Sequence, residues 1–280
     1  MPGTRFPSRM RLRFGLAAWS NDHFEHTLFP LRTPHEERLA RFATKFDCVE
    51  ADVLHHQFPK ASTLDAWVAQ TPAGFLFLPK MHKEVTHGKG GAEAAARWLE
   101  GLEPLRAAKR LGPILLQFPP QATRDKAAPL LQELLGLAEP GAFAVEVRHA
   151  SWFTDAFRDL LETHEAILAW STFPKAFTPP WATGERGFVR FTGQNFETKG
   201  RYVTVADRLD DILEVRKRLA QASWKECFVV VTNPFEGNAV DSLPRIAAAL
   251  DGPEAGKRFA REPGGVLFPE PPGAGQRTLF

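Results

Sequence analysis

The chain has 280 residues, of which 44% are hydrophobic and 24% charged, with a formal net charge of +2. This is enough for one large domain or two ordinary ones with an ample core. So small a net charge excludes a global field that would draw in a polyanion, so any nucleic-acid contact must come from a local patch.

Residues 1–10 read as a flexible, basic N-terminus. The apolar run Phe14–Trp19 is too short for a signal segment, and no run reaches membrane-spanning length, so a cytoplasmic protein without a membrane partner is expected. Strand-like runs then follow at Arg11–Trp19, Phe46–Val53, Gly74–His82, Leu111–Phe118, Ala142–His149, Ala166–Thr172, Gly187–Gly193 and Glu226–Asn233. Most are almost continuously apolar, as parallel strands covered on both faces should be. Between them lie amphipathic segments at Pro34–Lys45, Ser62–Gln70, Gly91–Arg110, Arg124–Ala138, Trp152–His164, Ala206–Ala222 and Asn238–Leu250. The link Phe173–Arg186 is too rich in proline for a regular helix and predicts a loop or a broken turn.

Strand alternating with helix implies a parallel sheet, and eight such repeats in residues 11–250 predict a single α/β domain, a (β/α)8 TIM-type barrel. An open doubly wound sheet is the alternative, weakened because no Gly-x-Gly-x-x-Gly or Walker-type loop follows an early strand. Residues 251–280, rich in proline and glycine, predict a flexible tail. Cys48 and Cys227 sit in apolar runs without a Cys-x-x-Cys spacing and read as buried thiols.

The ends of the runs carry the chemistry. Trp19 closes the first. Glu50 and Asp52 share a face of the second, Lys80 and His82 of the third, Glu146 and Arg148 of the fifth, Arg190 and Thr192 of the seventh, since side chains i and i+2 point the same way. Gln117 ends the fourth run and Asn233 the eighth. If these faces line one barrel mouth, they form a ring of acids, cations and amides. Glu50, Lys80, Glu146 and Arg148 are then the catalytic candidates. Trp19, Asp52, His82, Gln117, His149, Trp152, Arg190, Thr192 and Asn233 are candidates for holding a ligand. Structural ion pairs that merely plug the barrel, such as Glu146–Arg148 or Glu50–Lys80, are the competing reading. For His149 that reading is a role in orienting the loop, and for Trp19 and Trp152 packing at the rim. The neighbours His55 and His56 point apart on an extended chain and make a poor joint metal site.

Val49-Glu50-Ala51-Asp52, Pro79-Lys80-Met81-His82, Thr86-His87, Gln117-Phe118-Pro119-Pro120, Glu146-Val147-Arg148-His149-Ala150-Ser151-Trp152-Phe153 and Asn233-Pro234-Phe235-Glu236-Gly237 together resemble the YecE-like family, domain of unknown function 72. The resemblance runs collinearly from about Arg11 to Leu250 and implies a TIM-barrel-type fold with no settled activity. Asp52-Val53-Leu54-His55-His56 stands where the family tends to have Asn-x-Thr-Phe-Tyr. Thr192 stands where it has His, and Thr232 where a second Asn is usual.

Three functions follow as expectations. The first is an enzyme acting by acid/base chemistry on a small phosphate- or carboxylate-bearing substrate, or on nucleic acid. Lys80, Arg148 and Arg190 would hold the anion, and Glu50 or Glu146 would move the proton. In a phosphodiesterase-like form a single divalent metal would sit on Asp52 and His82 with Glu50; interleaved cations argue against a multi-metal cluster. The second is an accessory protein of replication or repair. Gln276-Arg277-Thr278-Leu279-Phe280 resembles the peptides that dock on the bacterial sliding clamp, with Gln276, Leu279 and Phe280 as the contacts. The third is a sugar or small-acid isomerase.

Overall fold

The computed structural model describes residues 10–20, 24, 26–88, 90–174, 177–193 and 203–269. The flexible N-terminus expected over residues 1–10 and the docking residues Gln276, Leu279 and Phe280 fall almost wholly or wholly outside them.

The described residues hold nine strands and ten α-helices, mostly in alternation. In chain order they are β1 Arg11–Leu16, α1 His35–Phe42, β2 Cys48–Ala51, α2 Ala61–Gln70, β3 Leu76–Pro79, α3 Lys83–Thr86, α4 Gly91–Glu100, α5 Glu103–Ala107, β4 Ile114–Gln117 and α6 Arg124–Leu135. There follow β5 Phe143–Glu146, α7 Asp155–Thr163, β6 Ile167–Leu168, β7 Trp170–Ser171, β8 Arg186–Phe191, α8 Leu209–Leu219, β9 Glu226–Val231, α9 Ala239–Asp251 and α10 Pro253–Phe259. Every pairing is parallel. The strands form sheets in the orders β1-β9-β8-β7, β4-β5-β6 and β2-β3, and single bridges Phe77 to Leu111 and Lys80 to Leu115 link β3 towards β4. The fold is therefore mixed α/β with parallel sheets and helices.

Two apolar clusters make the core. The larger lies between strands and helices and includes Phe42, Phe77, Trp98, Trp152 and Leu243. The smaller takes Cys48, Leu78, Leu115, Ala144, Ile167, Ala169, Phe188, Phe228 and Val230, so β2, β3, β4, β5, β6, β8 and β9 each contribute to it. These residues share a phase with the polar strand ends: Cys48 precedes Glu50 by two, Leu78 Lys80, Leu115 Gln117, Ala144 Glu146, and Phe188 Arg190. One face of each strand is thus apolar at its start and polar at its finish.

The expected sixth strand, Ala166–Thr172, is two short ones. Its first half pairs with β5 and its second with β8. The proline-rich link, residues 173–185, holds no helix among its described residues and instead supplies hydroxyls to this split strand. Thr183 Oγ1 accepts from Leu168 N (2.7 Å) and donates to Ala166 O (2.7 Å), while Thr178 Oγ1 accepts from Ser171 N (3.0 Å). Buried amides that lack a complete strand partner are satisfied this way.

Two other expectations are corrected. The long helix Gly91–Arg110 breaks into α4 and α5 at Gly101-Leu102. The Pro104 ring excludes the carbonyl of the fourth residue before it, and Gly101 lies against Pro59, where a Cβ would come within 2.5 Å of Pro59 Cγ. The segment from 251 is not a tail throughout: α10 packs on α9, Phe259 is fully buried, and Leu267 and Phe268 are buried with backbone bonds to Thr27 O and Leu28 O (2.9 and 2.8 Å).

Candidate functional site

Because all the strands run one way, their polar ends gather on one side of the fold. Arg190, on β8, is the hub. Its Nε and Nη2 form a two-pronged bond to Glu50 of β2 (2.7 and 2.6 Å), and its Nη1 donates to Glu146 Oε2 of β5 (2.6 Å). Glu146 Oε1 accepts from Arg148 Nε (2.7 Å) and Ser171 Oγ (3.5 Å). Both carboxylates are fully buried and Arg190 is 4% exposed. Charges so deep are tolerable only with matched partners, and the fork-to-fork geometry supplies them.

The protonation states follow from this packing. Burial by itself raises the Glu146 carboxyl, but Arg190 and Arg148 overcome it and bring it down to about 2. Burial works against the Arg190 cation, and the two glutamates outweigh it, driving its affinity for the proton up. Glu146 is thus a fixed anion with both oxygens engaged. Glu50 likewise has both oxygens on Arg190. Neither is free to shuttle a proton, which corrects the expectation that one of them is the general acid/base.

Above the network opens a cavity of about 660 Å³. Lys80, Asp52, Gln117, Arg148, Arg190, Thr192 and Asn233 line it, so seven of the expected site residues converge there, joined by Ala17, Ala18, Phe24, Gly193, Thr232 and Gly237. Lys80 Nζ donates to Asp52 Oδ1 (2.8 Å), not to Glu50. Burial raises the Asp52 carboxyl, but the Lys80 ammonium and its hydrogen bond more than compensate and hold it below the usual range. Arg148 lies over the Phe173 ring (4.8 Å) and spends only its Nε on Glu146, so its two terminal nitrogens have no hydrogen-bond partner among the described residues.

Other expected residues serve the scaffold. Trp152 is fully buried, donates from Nε1 to Ala122 O (2.7 Å) and packs on Phe118 and Phe157. Trp19 packs edge-on against Trp67. Neither lines the cavity, so the ligand-holding expectation for both is withdrawn. His149 Nδ1 bonds with Ser151 Oγ (2.9 Å) and accepts from Ser151 N (3.2 Å), orienting the turn Ala150–Trp152, as the structural alternative has it. His82 Nδ1 caps α3 by accepting from Glu84 N (3.3 Å), and the ring lies on Phe58. With His82 turned to the cap and Glu50 held by Arg190, the single-ion site expected on Asp52, His82 and Glu50 is not assembled. Among the described residues no group of three or more His, Cys, Asp or Glu side chains stands ready for a metal.

Sequence reading missed three contributors. His55 is buried, its Nδ1 bonded to Met81 O (2.6 Å); burial and the Lys80 charge pull its pKa down to about 4, so it is neutral near pH 7. A carbonyl accepts only from N–H, so this bond fixes the tautomer. Ser171 touches Glu146 from β7. Arg208 ties the rim together by donating to Thr192 O (2.7 Å) and Thr172 O (2.6 Å) while lying over Phe235 (4.6 Å). Arg208 precedes a helix by one residue and shares no period with the strand ends, so nothing in the sequence marked it; Ser171 lies inside the sixth strand-like run, where no polar pair singled it out.

The family model described as "Protein of unknown function DUF72" matches residues 13–264. The chain is 24% identical over 272 residues to UPF0759 protein YunF of Bacillus subtilis (strain 168), covering 85% of this chain and 94% of that one. Among solved structures it is similar to a DUF72 family protein of Thermotoga maritima MSB8, with 22% identity, a TM-score of 0.69 and coverage of 87% and 98%. A DUF72 family protein of Enterococcus faecalis V583 is also similar, with 20% identity, a TM-score of 0.66 and coverage of 86% and 96%. No described helix is long and apolar enough to cross a membrane. With a family model spanning the core from β1 past α10, the chain belongs to the DUF72 family.

Proposed function

We propose that this chain is an enzyme that takes a small phosphate- or carboxylate-bearing substrate into the cavity at the strand ends and works on it by acid/base chemistry. The observation that carries the reading is the division of labour among the cations. Arg190 is saturated by Glu50 and Glu146, whereas Arg148 has two terminal nitrogens without hydrogen-bond partners among the described residues, and Lys80 an ammonium with a single acceptor among them, on the same cavity. Two cations beside neutral donors such as Gln117, Thr192 and Asn233 suit an anion. The tryptophans that would have favoured a stacked sugar are not among the lining residues, which supports the anion over the isomerase reading.

Asp52 is the one carboxylate among the described lining residues, is 38% exposed at its side chain and touches Lys80. It is the proton acceptor in this reading, and Lys80 is the donor and the counter-charge. Closure of the strands into a single barrel belongs to the same proposal. The sheet orders join into one ring if β1 meets β2 and β6 continues into β7. Support comes from the bond Asp47 N to Phe14 O (3.1 Å), from the approach of Gly15 to Cys48, and from the single residue separating β6 from β7. A panel of phosphate esters, carboxylates and sugars tests the chemistry. Asp52→Asn should abolish turnover of the anionic hit while leaving its binding within a few-fold. Full turnover by Asp52→Asn, or turnover of neutral sugars alone, overturns the reading.

A further inference from the structure

A second cavity, of about 340 Å³, lies at the other end of the strands. Its walls come from the starts of β4, β5 and β8: Ile114 opens β4, Ala142 precedes β5, and Arg186 opens β8. The lining holds three cations, Arg106, Lys109 and Arg186, against one carboxylate, Glu139. Arg106 is answered by Glu103 at 2.6 Å. Lys109 and Arg186 have no ion-pair partner among the described residues. Arg186 makes one hydrogen bond, Nη2 to Gly141 O (2.8 Å), and leaves Nε and Nη1 without one.

Two further features single out these residues. Arg186 is half-buried, and burial weakens its hold on the proton despite Glu226 and Glu185 nearby. A guanidinium in that setting, with N–H groups on Nε and Nη1 still unbonded among the described residues, favours an incoming anion. Lys109 stands just past α5 with a φ of +56°, in the left-handed position where a helix usually ends on glycine. A long cationic residue there works against the backbone, at a position that lines the cavity. The remaining walls, Leu111, Ile114, Pro140 and Ala142, are apolar.

We infer that this cavity is a second ligand site, separate from the one at the strand ends, and that it takes a small phosphomonoester. Glu139 offsets part of the charge of the two cations, and the cavity stays net positive, which suits a phosphate. The apolar walls match a carbon body on the ester oxygen.

Calorimetric titration of the full chain with phenyl phosphate tests this, with inorganic phosphate and benzoate as comparisons. Arg148→Gln, which disables the cavity at the strand ends, should retain one saturable site. That site should bind phenyl phosphate more tightly than inorganic phosphate or benzoate. Adding Arg186→Gln should weaken it at least ten-fold. Lys109→Gly in place of Arg186→Gln should weaken it similarly while raising the melting temperature, because glycine relieves the left-handed backbone. Should the Arg186 variant fail to fold, the Lys109 variant decides alone. Wild-type affinity in the folded variants overturns the inference, as does the loss of all phenyl phosphate binding in Arg148→Gln. Failure of the strand-end reading would show differently, as binding insensitive to Arg148.

Discussion

Arg190 holds its charge where almost no water reaches, and Glu50 and Glu146 hold theirs beside it. Such a network favours one arrangement of β2, β5 and β8, because each member stripped of its partner would be a bare buried ion. Its pH dependence has a definite sign. The Glu146 pKa in the folded chain, about 2, lies below its ordinary 4.5, so its stabilisation is complete above pH 4.5 and disappears as pH falls towards 2. His55, neutral and buried, falls from 6.5 to about 4, so its share is complete above pH 6.5 and lost as pH falls through 4. Thermal melts should therefore show stability declining in two stages on acidification. His55→Gln should shrink the upper stage, between pH 6.5 and 4, leaving the share of His87, whose pKa burial and then Lys80 and Arg148 also lower, and an unchanged profile in that variant would refute the assignment. The i, i+2 spacing put Glu50, Lys80, Glu146 and Arg190 on the right faces. It did not say which acid meets which base: Lys80 finds Asp52 because β2 ends at Ala51 and the chain turns there, setting Asp52 at the rim.

Elements were legible where periodicity was long and hidden where satisfaction was local. The parallel strands announced themselves as apolar runs and α9 by its pattern, while its cap, Asn238 accepting from Val240 N (3.0 Å), emerged only in the structure. The split of the sixth run was not readable, because it depends on threonine hydroxyls from a proline-rich link whose composition says only that it is not helical. The anchoring of Phe268 was hidden too, since it sits in a stretch of glycine and proline without periodicity. It stacks on Phe29 at 5.3 Å. Thr183→Val should cost about 1–3 kcal/mol by leaving the Leu168 amide without a partner. Phe268→Ala should cost about 3–5 kcal/mol through the cavity it opens. Urea unfolding measures both, and losses below 0.5 kcal/mol would contradict these roles.

For the whole molecule, apolar strand starts and polar strand ends divide the interior into a packed layer and a charged layer, with the larger cavity above the charged one. Composition could not show this division, because +2 overall conceals a cluster of closely matched charges. What position separates is function: the fully buried glutamates and Arg190 build the floor, while Arg148 and Lys80 face the open space. A paired titration of Glu146→Gln and Arg148→Gln with the anionic ligand, alongside their unfolding in urea, tests that separation most directly. Glu146→Gln should lose about 3–5 kcal/mol of stability, as removing one partner from a buried ion network does. Arg148→Gln, in which Arg190 still pairs with Glu146, should lose less stability than Glu146→Gln and at least ten-fold in affinity at the strand-end cavity. Wild-type affinity in Arg148→Gln, or wild-type stability in Glu146→Gln, would contradict it.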